Sequence, residues 1–310
     1  MLIKVLGSAA GGGFPQINCN CRNCADARQG KPDLTPRTQS SLAVSRDGQA
    51  WVLLNASPDL RQQVAATPAL TLPPDAGPRG SPIKAVVLTN GDVDHVAGLL
   101  SLREGIPFTL YAAERVLGTL AANGIFNVLD PRLVPRVALA PSTPVPLASL
   151  GADLGLTVEA FPVPGKVALY LEDAAAGPEL GTREGDTIGL KISDPADGAA
   201  FFYIPGCAAI DDALTARIGG AQLVMFDGTL YSDEEMIAQG LSAKTGKRMG
   251  HISMSGADGS IAAFRGLDVR RRVFVHLNNS NPALRENGPE RAEIEKAGWE
   301  IAFDGMEISL

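Results

Sequence analysis

The stretch Thr89–Leu99, TNGDVDHVAGL, decides how this 310-residue chain is read. It follows an apolar run, KAVVL, with the composition of a buried strand, and runs into helical spacing over Val96–Arg103. A strand that ends in a loop and hands over to a helix is where layered α/β folds expose their chemistry, because the strand holds the first side chains rigidly while the loop presents the next ones. Asp92, Asp94 and His95 stand there as candidate metal ligands. Acidic residues at a first helical turn also stabilise a helix with no ion present, so the loop needs partners from elsewhere in the chain.

The histidines supply them. The chain has only three, and His251 (in MGHIS) and His276 (closing RVFVH) fall at strand-end or loop-start positions like that of His95. Asp227, in LVMFDGT, is a carboxylate at the end of another apolar run.

Further apolar runs rich in Val, Ile, Leu and Phe read as strands: LIKVL, SLAVS, WVLLN, FTLY, LTVEAF, VALYL, AFFYI, QLVMF and RVFVHL. Arg46-Asp47-Gly48 is a hairpin turn between the second and third. Helical spacing appears at Glu114–Asn123, Asp211–Ile218, Asp233–Gln239, Ala257–Phe264 and Pro282–Ala297, the last with Pro near its start and Gly298 just past its end. Hairpins early and alternating strands and helices later predict an α/β layered domain, expected to be one unit over residues 1–310. The proline-rich segment Pro68–Pro82 is a surface loop rather than a linker. Gly7–Gly13, GSAAGGG, lacks both G-x-G-x-x-G spacing and a following Gly-Lys-Ser/Thr, so it is expected to be a flexible turn and not a phosphate loop.

Composition narrows the function. With 45% hydrophobic residues the chain can bury a large core, and with a net charge of −7 and basic residues scattered apart from Arg270–Arg272, nucleic acid is not expected as a partner. No stretch approaches the ~20 apolar residues of a membrane span and the N-terminus lacks a basic leader, so the expected location is the cytoplasm with no membrane partner.

Three of the four cysteines lie in Cys19-Asn20-Cys21-Arg22-Asn23-Cys24. The C-x-C-x-x-C spacing lets three sulfurs converge, and thiolates favour zinc or an iron–sulfur cluster. A structural zinc is expected there, its fourth donor being Cys207, a histidine or Asn279, between which the sequence does not choose.

Together, TNGDVDHxxGLL, the later FDGT, GHIS and VHLNN, and the terminal Phe303-Asp304-Gly305-Met306-Glu307-Ile308 resemble the metallo-β-lactamase superfamily over nearly the whole chain. CNCRNC with RTQSS and NASPD looks, within it, like the family of B proteins of pyrroloquinoline quinone (PQQ) biosynthesis. The resemblance implies an αββα sandwich with its site at one edge of the two sheets. Asp94 and His95 match the D-H of the superfamily loop, His276 its last histidine ligand, and His251 a histidine lying beside the metals. The departures are as informative. Asn90 and Asp92 replace two leading histidines, no histidine occurs in Phe161–Gly165, Cys207 follows the AFFYI strand where an aspartate bridges two metals, and Asn279 stands where relatives with C-x-C-x-x-C place a histidine.

A binuclear hydrolase needs two adjacent ions, and one of its ligand sets is missing. Two histidines and a carboxylate form the donor set of ferrous oxygenases. The expectation is therefore Fe(II), with zinc possible as purified, on Asp94, His95 and His276. Asp92 is a fourth ligand or an acceptor behind them, and His251, Asp227 and Asn90 serve the chemistry, His251 or Asp227 by handling protons. The resemblance implies hydroxylation of the tyrosine-derived part of the PQQ precursor, as peptide or fragment. The alternatives are a carrier of PQQ or its precursor and, behind it, a residual hydrolase.

Overall fold

The computed structural model describes residues 1–176 and 181–310. Chain order gives β1 (Leu2–Gly7), β2 (Ser41–Ser45), β3 (Trp51–Leu54), β4 (Ile83–Val87), β5 (Thr109–Ala112) and β6 (Arg136–Ala138), then β7 (Pro144–Ser149), β8 (Ala152–Pro162), β9 (Ile188–Ser193), β10 (Ala200–Ile204), β11 (Leu223–Asp227), β12 (Arg271–Val275) and β13 (Glu300–Ile301), with β14 (Glu307–Ser309) last. They form two seven-stranded sheets, β14-β1-β2-β3-β4-β5-β6 and β13-β12-β11-β10-β9-β8-β7. In each, an antiparallel part leads into a parallel part, β3 to β6 in the first and β10 to β13 in the second. The helices are α1 (Arg22–Arg28), α2 (Leu60–Ala66), α3 (Val93–Val96), α4 (Glu114–Ala122), α5 (Asp212–Ile218), α6 (Glu235–Ala238), α7 (Ser260–Ala263) and α8 (Pro289–Lys296). The architecture is the expected αββα sandwich.

The parallel strands are continuous apolar runs because both their faces are covered. Along β10, Phe201 and Tyr203 enter the core between the sheets while Phe202 and Ile204 enter a second core outside, and β11 and β12 divide in the same way. On the outer face Trp299 stacks on Phe274 with ring centroids 3.9 Å apart. The Arg46–Gly48 turn forms as expected: Asp47 Oδ1 accepts from the backbone N–H of Gln49 (2.8 Å) and Ala50 (3.0 Å), and Gly48 takes φ +76°.

Four local expectations need correcting. VALYL, residues 167–171, is not a strand; Leu169–Leu171 is a single 3-10 turn with all three side chains exposed, lying over the Thr89–Leu99 loop instead of in a sheet. The helix expected over Pro282–Ala297 is split into a 3-10 turn at Pro282–Leu284 and α8, because Pro289 offers no N–H to continue a helix but suits the first turn of a new one. The helix expected over Val96–Arg103 is short α3 followed by 3-10 turns over Ala97–Leu102. Gly7–Gly13 is pinned rather than loose: Ala9 N donates to Thr38 O (2.9 Å), Ala10 N donates to Leu277 O (2.7 Å), and Phe14 exchanges two backbone hydrogen bonds with Arg37.

Candidate metal centre

Asn90, Asp227 and His276 sit at the carboxyl ends of β4, β11 and β12, so the two sheets deliver their loops to one place. The β4 loop is fixed from below by Asn55, itself in a left-handed conformation (φ +64°), whose Oδ1 accepts from Thr89 N (2.8 Å) and whose Nδ2 donates to Thr89 Oγ1 (2.9 Å). Asn90 Oδ1 accepts from Asp92 N (2.9 Å), and the residue bridges to Thr187. Asn90 thus closes the turn, with its amide oxygen committed to the backbone. Asp92 Oδ1 accepts from Leu169 N (2.9 Å), and the Tyr170 hydroxyl donates to Gly91 O (2.8 Å), so the 167–172 segment is tied down over this loop. At the far side of the helical turn, Gly98 packs so tightly that a Cβ there would fall 2.2 Å from Ser57 O, which explains the glycine in DHVAG.

Asp94, His95 and His276 converge, with one donor atom from each lying within 4.8 Å of the others. His276 Nε2 is 3.0 Å from Asp94 Oδ2, and the His95 and His276 rings stack at 5.3 Å, nearly parallel. His276 holds a left-handed backbone, φ +62°, a conformation that costs free energy in a non-glycine residue and is common at functional sites. Both ring nitrogens of His95 are buried and, among the described residues, have no hydrogen-bond partner. Burial pushes the His95 pKa down. For His276 burial acts the same way, but the bond to Asp94 and the nearby carboxylates outweigh it and raise its pKa. Burial opposes ionisation of Asp94, yet the two imidazoles hold its pKa well below the usual range. Gly11 closes the wall beside it: a Cβ there would stand 3.4 Å from Asp94 Oδ2.

A hydrogen-bond chain behind His276 fixes which of its nitrogens faces the site. Asp227 is fully buried; its Oδ1 accepts from Thr229 N (3.0 Å) and Thr229 Oγ1 (2.7 Å), its Oδ2 from Cys207 N (2.9 Å) and His251 Nδ1 (2.7 Å). An ionised carboxylate only accepts, so the single hydroxyl proton of Thr229 points at Asp227. The hydroxyl must then accept from His276 Nδ1–H, 2.8 Å away. Neutral His276 therefore carries its lone pair on Nε2, aimed at the Asp94 carboxylate. Two acceptors facing each other at 3.0 Å repel unless a proton or a cation lies between them. The same logic makes His251 Nδ1 a donor to Asp227 and leaves its Nε2 basic.

The second convergent group, Asp227, His251 and His276, is already explained by these bonds. Four donors saturate Asp227, and burial, which opposes its ionisation, is outweighed by His251 and the other partners, so its pKa is lowered. Among the described residues, only the first group contains buried donor atoms that have no hydrogen-bond partner. Its donor set fits one cation, and no second ion is needed. FDGT in the sequence does not mark Thr229, because a threonine's role in orienting a ligand appears only once its neighbours are known.

The other cluster spans the loop before α1 and the first turn of that helix. The sulfurs of Cys19, Cys21 and Cys24 come within 4.8 Å of one another. Asn279 Nδ2 sits above them, 3.1 Å from Cys19 Sγ, 3.6 Å from Cys21 Sγ and 3.4 Å from Cys24 Sγ. Half a rotation of that amide presents its oxygen at the same apex, so three sulfurs and Asn279 can enclose a tetrahedral ion. Burial raises the Cys24 pKa, whereas at Cys21 hydrogen bonds from Cys24 and Cys19 overcome burial and lower it. Asn23 Nδ2 secures the opposite strand of chain, donating to the carbonyls of Asn279, Ser280 and Asn281 at 3.0–3.3 Å. Cys207, considered as a fourth donor, is elsewhere: its buried thiol donates to Ala209 O (2.9 Å).

Two seven-stranded sheets with a histidine–carboxylate cluster at their shared edge define a class, and the beta-lactamase superfamily domain matches residues 50–277. Within that class, the chain is 54% identical over 309 residues to coenzyme PQQ synthesis protein B of Bradyrhizobium diazoefficiens, covering 99% of each chain, and 51% identical over 313 residues to that of Methylorubrum extorquens, covering both completely. The crystal structure of Zn(2+)-bound PqqB from Methylobacterium extorquens superposes with a TM-score of 0.93 at 49% identity over all of both chains. This protein belongs to the coenzyme PQQ synthesis protein B family. A diphosphatase of the PhnP family shares the fold, with a TM-score of 0.67 at 21% identity over 99% of this chain and 96% of that one.

Proposed function

We propose that this member of the PQQ synthesis protein B family is an Fe(II)-dependent oxygenase that hydroxylates the tyrosine-derived part of the PQQ precursor, with the cysteine cluster holding a structural zinc. The observation that carries the single-ion site is His95, whose buried ring nitrogens have no hydrogen-bond partner among the described residues. Leaving such groups unsatisfied costs about 1–3 kcal/mol each, a penalty a bound cation removes. Asp94, His95 and His276 would hold the ion. When bound, iron with open positions supplies activation of dioxygen. The residues around it do the rest. Thr229 keeps the His276 lone pair on Nε2, and Asp227 orients His251 and leaves the lone pair on its Nε2, placed to take the proton that a phenolic substrate gives up. Asp92 and Asn90 hold the loop in shape.

The saturation of Asp227 argues against a binuclear hydrolase, since the carboxylate has no free lone pair to offer a second ion. The test is anaerobic loading with Fe(II) followed by exposure to dioxygen with a tyrosine-containing precursor. Hydroxylated product and oxygen uptake are expected; uptake no greater than that of His276→Ala overturns the assignment.

A further inference from the structure

Beyond β12 the chain runs Asn278-Asn279-Ser280-Asn281, four polar residues in succession, and all four are buried, Asn281 completely. Polar side chains leave water at a cost unless each finds a partner, so every member of the run must hold something. Asn279 stands over the sulfurs. Asn278 Nδ2 donates to Ser280 Oγ, and that hydroxyl donates in turn to Glu235 Oε1, both at 2.5 Å. Asn281 faces the histidine side: its Oδ1 accepts from Ala283 N (2.9 Å), and its Nδ2 donates to Gly228 O (3.0 Å) and Thr229 O (3.3 Å). Thr229 O also accepts from Asn278 N (3.0 Å). Asn281 therefore holds the backbone of the residue whose hydroxyl decides which nitrogen of His276 meets the site. Gly228 leaves this stretch no room to drift, since a Cβ there would fall 2.8 Å from Met254 Cε and from Phe274 Cβ.

The other side of the run is held from the cysteine cluster. Asn23, buried between Cys21 and Cys24, donates through Nδ2 to the carbonyls of Asn279, Ser280 and Asn281. Its helix, α1, has seven residues, no acidic residue in its first turn and, among the described residues, no side-chain hydrogen bond at its cap, Cys21. So short a helix does not hold itself. Asp26 ties the far end to Arg285 (2.5 Å), while the first turn, which carries Asn23, is steadied through the sulfur loop.

We infer that Asn281 and Asn23 are positioning residues of the histidine centre, and that through them an ion on the sulfurs and an ion on Asp94, His95 and His276 bind with positive cooperativity. An ion on the sulfurs fixes the loop and with it Asn23; Asn23 fixes three carbonyls of the turn, and Asn281 fixes Thr229. The second ion then meets a segment already ordered, so it binds more tightly, and linkage makes the gain reciprocal. The inference rests on an ion in each cluster, as proposed above, and not on the nature of the reaction.

The experiment is titration of the full chain with Co(II) under nitrogen, followed by absorption. Thiolate-bound Co(II) gives charge-transfer bands in the near ultraviolet that imidazole and carboxylate ligands do not give, so the two sites are read separately. Against the parent with zinc on its sulfurs, Cys21→Ser should weaken Co(II) binding at the histidine centre about ten-fold, and His276→Ala should weaken the thiolate site by a similar factor. Asn281→Asp keeps the acceptor for Ala283 N and removes the donor to Gly228 and Thr229. It should retain the thiolate bands, weaken the histidine centre, and leave Cys21→Ser with no further effect there, a non-additive cycle that general loss of stability does not produce. Asn23→Ser carries the same cycle should Asn281→Asp fail to fold. Histidine-centre affinity within about two-fold of the parent in Cys21→Ser, or two effects that simply multiply, overturns the inference. A parent that binds no Co(II) at its histidines overturns the single-ion site itself, whereas normal binding unmoved by Cys21→Ser overturns the cooperativity alone.

Discussion

Replacing Thr229 with valine keeps the side chain's shape and removes one hydroxyl, and three partners lose by it. Asp227 gives up one of its four donors, His251 Nδ1 loses a neighbour at 3.0 Å while keeping its bond to Asp227, and His276 Nδ1 loses its partner at 2.8 Å. A buried polar group left bare costs about 1–3 kcal/mol and an ordinary hydrogen bond about 0.5–1.5 kcal/mol, so Thr229→Val is expected to destabilise the apoprotein by roughly 2–4 kcal/mol. The effect on metal binding has a separate cause. With no acceptor at Nδ1, the His276 proton moves to Nε2, where Asp94 accepts it, and an incoming ion must now displace that proton. Removing the partner that orients a ligand typically costs about 10–100-fold in metal affinity. Urea unfolding reads the first quantity and competitive titration with Co(II) under nitrogen the second, and Thr229→Ser should restore both. A valine variant whose stability changes by less than about 0.5 kcal/mol and whose affinity stays within two-fold of the parent would refute the orientation assigned to His276.

Cys21→Ser should lose close to one zinc per chain by elemental analysis and lower the unfolding midpoint; unchanged metal content would remove the cysteine site. Gly98→Ala puts a methyl group 2.2 Å from Ser57 O, so it should cost about 1–3 kcal/mol or more, or fail to yield folded protein; a normal denaturation curve would contradict the packing described. Glu235 is buried, accepts from Ser280 Oγ (2.5 Å) and Tyr231 N (2.8 Å), and has its pKa pushed up to about 7 by desolvation from an ordinary 4.5. The folded state therefore holds this proton more tightly than the unfolded chain. Its contribution is fully present below the unfolded value and is lost as pH rises through about 7, amounting to roughly 3 kcal/mol. Stability followed by urea unfolding between pH 4.5 and 7.5 should fall less steeply in Glu235→Gln than in the parent; parallel profiles would show that Glu235 titrates normally.

The sandwich was legible because buried parallel strands are written as unbroken apolar runs, and AFFYI, LVMF and KAVVL could be little else. The convergence of His95, His251 and His276 could be inferred from their shared place at strand ends, though their separation in the chain gave no distances. VALYL misled because its composition is that of a strand, whereas tethers to Asp92 and Gly91, invisible in sequence, hold it as a turn. β7 and β9 are not legible as strands in the sequence: Pro144 and Pro146 interrupt the apolar pattern of one, and Gly189 and Lys191 that of the other. The glycines of GSAAGGG carried no sign that Gly11 would stand against Asp94, since close approach is a property of two distant segments meeting.

His276 and Asn279 belong to one short turn of chain, the first leaning into the histidine cluster and the second seated over the sulfurs. Whatever grips the sulfurs therefore sets the posture of an imidazole it never touches. With both proposed ions bound, activity that disappears after treatment with a chelator would report on the histidine cluster only where the three sulfurs still held theirs.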